Sequence, residues 1–224
     1  MKYETKNFEI DLKGNIIPYR AWTSKEERLY LTNKGQGSDF ALLSKMLVLP
    51  NIDYKPMTLA EYEYLIFELR RMSVASEVGL NVRCPKCDMF IEFERDMLDL
   101  LHFVAPTLDN KEISHDDISI KLRKIPSKDL LLRVVSQETT EQRVFFEFLA
   151  CIKSITYKGE TLETFSFEEI EEFFDDMPSF VFKKLFNQFL ELKGYIHLFT
   201  EVTCPHPHCL HKFDAVFKNV DDFL

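Results

Sequence analysis

The chain has 224 residues, 46% of them hydrophobic and 29% charged, a globular composition with length for one large domain or two small ones. A formal net charge of −9 without any long Lys/Arg run argues against a general nucleic-acid binder, because phosphate affinity comes mainly from those residues. The start, MKYETKNFEIDLKG, lacks the apolar core of a signal peptide, and no stretch reaches the roughly 18 apolar residues of a membrane helix. The expectation is a protein of the reducing cytoplasm, with no membrane partner.

Residues 7–20, NFEIDLKGNIIPYR, read as two strands around a turn near Lys13-Gly14-Asn15. Thr23/Glu26 and Ser24/Glu27 are overlapping capping boxes that open a helix ending near Gly35. Ser38 opens a short helix stopped by Pro50. Thr58 and Glu61 cap LAEYEYLIFELRRMS, where Leu59, Tyr62, Leu65, Ile66 and Leu69 recur at helical spacing. After Gly79 the pattern alternates through Leu80 and Val82, then the first cysteine pair, then Phe90, Ile91 and Phe93, giving two short strands joined by a Cys-Pro-Lys-Cys turn.

Residues 105–117 read as an exposed loop and ISIKLRKI as a strand. A helical pattern runs from Pro126 to Ile152, followed by a strand and turn in ITYKGE. Ser166 and Glu169 cap the acidic helix FEEIEEFFDD. Pro178 suits the first turn of the next helix, because a proline there lacks only an N–H that has no helical partner. That helix ends at Gly194, and its stripe of Phe182, Leu185, Phe186 and Phe189 reads as core. YIHLFTEVT and HKFDAVF are strands flanking a second cysteine pair.

Cys84 and Cys87, and Cys204 and Cys209, share one local setting: strand, Cys-Pro, turn, Cys, strand. A short turn between two cysteines lets both sulfurs face one point, and zinc takes four such ligands in a tetrahedron at about 2.3 Å. Two facing knuckles predict a structural zinc site in a ribbon split by a long insertion. The second knuckle also contains His206 and His208, with His211 just beyond. One of these histidines either replaces Cys209 as a ligand, or all stand outside the metal as supporting or surface groups.

A redox role is the weaker reading, because no helix N-terminus follows the first pair to lower a thiol pKa. Cys151, in the apolar run FFEFLACI, reads as a small buried hydrophobe. Neither a phosphate-binding glycine loop nor a nucleophile elbow occurs. The carboxylates from Glu168 to Asp176 are spaced for a solvated helix face. Nothing in the pattern builds an active site or a small-molecule substrate pocket.

With those residues in hand, the chain resembles the baseplate hub and hub-assembly proteins of T-even-type contractile-tailed phages. PYRAWTSKEERLYL is similar to that family's arginine, aromatic, threonine and KEE-type helix. TLAEYEYLIFELRRMSVASEVGLNVRCPKC resembles its helix running into the first cysteine pair. FNQFLELKGYIHLFTEVTCPHPHC looks like its long helix, strand and second pair, and the terminal VDDFL resembles its aromatic end. The second knuckle is longer here, and the family's glycine after the final cysteine is Leu210.

The resemblance implies a non-enzymatic role with other baseplate hub and tail proteins as partners. The chain would be either a subunit that stays in the virion's tail baseplate or a factor acting in the host cytoplasm during assembly. The alternative class is a zinc-ribbon regulator binding nucleic acid or polymerase. The fold expected is α+β: a mainly helical body with short antiparallel strands and a split zinc ribbon. Its parts are a hairpin and helices over 1–77, the ribbon from 78–94 plus 195–217, and a central helical region over 95–194.

Overall fold

A computed structural model describes residues 7–12, 15–33 and 56–217. The helix expected between Ser38 and Pro50, the Lys13-Gly14 turn and the VDDFL end lie outside them. Helices take 38% and strands 34% of the described residues, so the fold is mixed α+β, and the expected mainly helical body is overturned. The strand content went unread because several strands are only three or four residues long, too short to display a period of two. Among the described residues no helix is long and apolar enough to cross a membrane.

The chain divides into two compact units. One comprises Met1–Glu27, Glu63–Phe103 and Ile196–Leu224, and the other Arg28–Tyr62 and Val104–Tyr195. In the first unit, β1 (Asn7–Leu12) pairs antiparallel with β2 (Asn15–Arg20), with Ile10 opposite Ile17 and both buried. Helix α1 (Ser24–Asn33) follows. Of the two capping boxes, Thr23/Glu26 forms: Glu26 accepts from the Thr23 N–H at 2.7 Å, and its own N–H reaches Thr23 Oγ1 at 3.4 Å.

Arg20 closes this corner with two bonds to the Glu26 carboxylate, at 2.5 and 2.9 Å. The Trp22 N–H donates to Ser73 Oγ at 2.8 Å, tying the corner to the end of α2 (Leu59–Ser73). The arginine–aromatic–threonine–KEE pattern is therefore a structural latch.

Strand β3 (Glu77–Arg83) pairs antiparallel with β4 (Phe90–Asp96). The one-turn helix α3 (Met97–Leu100), capped by Asp96, then leads into β5 (Leu101–Val104). Strand β5 joins β10 (Tyr195–Thr203) and β11 (Lys212–Phe217) in a sheet of order β11-β10-β5. The pair α3 and β5 went unread in the sequence.

The second unit holds a four-stranded antiparallel sheet, β6-β7-β8-β9, from Glu112–His115, Ile118–Leu122, Ile152–Tyr157 and Glu160–Leu162. The loop expected over 105–117 thus contains β6. The helical run read from Pro126 to Ile152 is two helices, α4 (Lys128–Val135) and α5 (Thr140–Cys151), with strand β8 starting at Ile152. The break falls where Thr139 and Gln142 form a capping box, a legible signal that the longer apolar period masked. Helices α6 (Phe167–Asp175) and α7 (Ser179–Leu192) follow, and α6 has the expected Ser166/Glu169 box.

The phenylalanines of the second half meet around Phe148. Its ring lies 5.0 Å from Phe189, 5.2 Å from Phe174 and 5.6 Å from Phe186. Tilted and edge-on rings at these distances add to the burial energy of large apolar groups. Two buried carboxylates organise the same unit. Glu61 accepts from the Thr58 N–H at 2.8 Å and from Lys124 Nζ at 2.5 Å. Glu147 accepts from the Leu59 N–H at 3.1 Å and from Lys193 Nζ at 3.3 Å. Both stand at the N-terminus of α2, where the helix dipole favours negative charge. Burial pushes the Glu147 carboxyl up, opposed by Lys193 and the Leu59 N–H.

Two expectations follow from this packing. The hydrogen bonds from Arg20, against the opposing effect of burial, hold the Glu26 carboxyl down at about 2, below its ordinary 4.5. A depressed carboxylate stabilises fully above its unfolded pKa and loses that contribution as pH falls through the folded one. Glu26→Gln should therefore lower the urea midpoint at pH 7 and flatten the acid loss between those two values. Identical acid profiles for variant and wild type would dismiss the latch. Gly194 sits at φ +71, and a Cβ there would meet the Val104 carbonyl oxygen at 2.5 Å. Gly194→Ala should cost at least about 2 kcal/mol in chemical unfolding, from left-handed backbone strain and overlap together.

Candidate metal centre

The two cysteine pairs lie at matching places in the first unit, each on the turn between two antiparallel strands: β3 and β4 for one, β10 and β11 for the other. Their backbones repeat one pattern. The Cys84 N–H donates to the Met89 carbonyl and the Cys204 N–H to the His211 carbonyl, both at 2.9 Å. In each case the acceptor lies two residues beyond the knuckle's second cysteine. The residue directly after that cysteine is left-handed in both knuckles, Asp88 at φ +57 and Leu210 at φ +46. The longer second turn is closed by the Cys209 and Leu210 N–H groups, both donating to the His206 carbonyl.

This shared geometry aims all four sulfurs at one point. The ligand atoms of Cys84, Cys87, Cys204 and Cys209 lie within 4.8 Å of one another. Cys84 and Cys209 sulfurs are 3.7 Å apart, and those of Cys87 and Cys204 3.5 Å apart. A zinc tetrahedron with 2.3 Å bonds has sulfurs about 3.8 Å apart. The residues present therefore fit a tetrahedral thiolate-bound cation.

Cys84 and Cys204 are fully buried, and they form a small core with Ile91, Val202 and Ala215, flanked by Phe93, Phe213 and Phe217. Cys87 is exposed and Cys209 intermediate, so one side of the cluster faces solvent. Burial pushes the Cys84 thiol up, but the N–H groups of Cys87 and Lys86 outweigh it and bring it down to about 7. For Cys87 the balance reverses. The Met89 N–H lowers it, while burial and the three neighbouring thiols push it up to about 12. Four thiols this close cannot all ionise against their mutual repulsion unless a cation compensates.

The converging set contains the four cysteines and no histidine among the described residues. The His208 N–H reaches His206 Nδ1 at 3.4 Å, the two rings stand 5.9 Å apart, and His211 stacks on Phe213. Cys151 is buried in α5 and outside the cluster, its thiol pushed well above its ordinary value by burial. The repeated left-handed position went unread in the sequence, although its signal was present where Leu210 replaces the glycine of the resembling family.

Leu210 combines that strained backbone with 63% exposure. Left-handed backbone costs a side-chain-bearing residue roughly 1–2 kcal/mol, which glycine avoids at some cost in unfolded-state entropy. Leu210→Gly should raise stability by about 0.5–1 kcal/mol in thermal or urea unfolding. A loss instead would mean that the Leu210 side chain makes contacts worth more than the strain.

A family model described as T4 bacteriophage base plate protein matches residues 2–224. No curated protein and no solved structure matches the chain. The match covers nearly the whole length, including both knuckles, the Arg20 latch and the aromatic core of the second unit, and it places the chain in the T4 bacteriophage base plate protein family.

Proposed function

We propose that this chain is a non-enzymatic component or assembly factor of the baseplate hub that binds other hub and tail proteins. In this reading Cys84, Cys87, Cys204 and Cys209 hold one structural zinc ion. The observation that carries the zinc assignment is the approach of four sulfurs from two knuckles far apart in sequence, at spacings close to those of a zinc–thiolate tetrahedron. Four cysteines fill such a site and leave no open position for a substrate or an activated water, so the metal serves geometry. It would lock β3–β4 to β10–β11 and so set the first unit's strands as a rigid platform. The baseplate role rests on membership of a structural phage family. His206 and His208 stand beside the metal as surface groups in this reading.

The regulator reading needs basic surface beside the knuckles. Arg83 is paired with Asp88 at 3.2 Å and Lys212 with Glu201 at 3.2 Å, which leaves Lys86 as the one knuckle lysine without a carboxylate partner among the described residues. That balance favours protein partners over nucleic acid.

Native mass spectrometry of the purified chain should find one zinc per molecule. Cys84→Ser and Cys204→Ser should each lose it and lower the melting temperature. Stoichiometric absence of zinc from wild type would sink the metal assignment, and unchanged zinc in both variants would sink the shared site. Quantitative mass spectrometry of purified tails against the soluble fraction of infected cells tests the role. A fixed few copies per tail marks a resident subunit, and hub complexes in the soluble fraction alone mark an assembly factor. Absence from both would overturn the hub reading.

A further inference from the structure

The two edges of the four-stranded sheet are treated differently. At the β6 edge, Gln188 of α7 receives the Ser114 N–H at 3.3 Å and donates to the Ser114 carbonyl at 3.1 Å. Its amide closes that edge as a neighbouring strand would. At the opposite edge, β9 is joined to β8 by a two-residue turn with Lys158 at φ +50 and Gly159 at φ +86. The alternation of antiparallel pairs turns the N–H and C=O of Thr161, opposite Thr156, away from β8. Among the described residues no side chain closes this edge.

Beside it lies a cavity of about 350 Å³ between the hairpin and α6, with Ile155, Leu162, Ile170 and Phe173 on its walls and Glu160 and Glu169 at its margin. Cross-strand register puts Leu162 opposite Ile155 and Glu160 opposite Tyr157, so all four share the sheet face that looks toward α6. Tyr157 and Phe173, edge-on at 6.2 Å, separate this cavity from a second of about 270 Å³ that Asp176 borders. Leu162 is 52% and Tyr157 42% exposed, so two large apolar side chains stand exposed beside this strand edge. Residues 157–176 carry eight carboxylates against Lys158 alone, seven of the chain's nine net negative charges.

We propose that this groove and the β9 edge take an extended segment of another tail protein, one that carries an apolar side chain flanked by lysine or arginine. Main-chain pairing at Thr161 would give register, the apolar cavity an anchor, and the carboxylate margin the preference for a basic segment. The choice of a tail protein as source rests on the function proposed above.

Two measurements decide it. The probe for the first is a synthetic peptide with Phe-Leu between pairs of lysines, titrated against full-length protein by fluorescence anisotropy. A control peptide has glutamates for the lysines. The lysine peptide should bind and the control should not. Glu160→Lys and Leu162→Asp, both on exposed positions, should each weaken binding by about tenfold or more at unchanged melting temperature. No binding, or equal binding by both variants, overturns the groove as a docking site.

The second is zero-length carbodiimide cross-linking of purified tails. Links from Glu160 or Asp176 to a lysine of another tail protein support the proposal. If the chain is in the tail but linked only through carboxylates elsewhere, the groove is overturned while the baseplate reading stands. Absence of the chain from tails and from soluble hub complexes overturns the baseplate reading, and with it the partner named here.

Discussion

The convergence of four sulfurs is the constraint on which the first unit depends. Cys87 and Cys204 lie 117 residues apart, yet their sulfurs approach within 3.5 Å. Closing so long a loop is not much dearer than closing one of half the length, because the entropy grows only with the logarithm, about 0.6 kcal/mol per doubling. A local tie of fixed geometry therefore tolerates a long excursion of chain, provided the excursion has a core of its own. The strand pairs β3–β4 and β10–β11 supply the tie, and their repeated hydrogen bonds from Cys84 to Met89 and from Cys204 to His211 aim the sulfurs before any ion is considered.

The excursion meets that condition. Its core is built from phenylalanines of α5, α6 and α7 gathered on Phe148, and its buried carboxylates are placed where donors meet them. Glu147 is wholly buried yet receives both a helix N-terminal N–H and an ammonium. A charge so enclosed costs stability unless every such partner is in place. The result is that the start of α2 is held by side chains from two distant stretches, Lys124 with Glu61 and Lys193 with Glu147. The acid excess of the chain, by contrast, is concentrated in one hairpin and one helix, where its mostly exposed carboxylates leave the core undisturbed and Glu168 pairs with Arg133 at 3.4 Å.

Local signals translated well wherever one short segment contained the whole interaction. Thr23/Glu26, Thr58/Glu61 and Ser166/Glu169 all cap helices as their spacing required. The alternation around each cysteine pair became a hairpin with its knuckle on the turn. What failed was segmentation. Thr139 and Gln142 lie inside a continuous apolar period, which reads as one long helix where α4 and α5 stand. Strands of three or four residues, β5, β6 and β9, carried too few side chains to reveal a period, and the share of helix was overestimated.

By itself the sequence determined the capped helices, the two knuckles, the family and the candidate ligand residues, because caps, turns and cysteine spacings act over a few residues of contiguous chain. Only tertiary structure decided that all four sulfurs meet, that Gln188 closes one sheet edge while no described residue closes the β9 edge, and that Ser73 braces the N-terminal corner. Those features join positions tens of residues apart, and no local period or propensity records which distant partner a side chain will find.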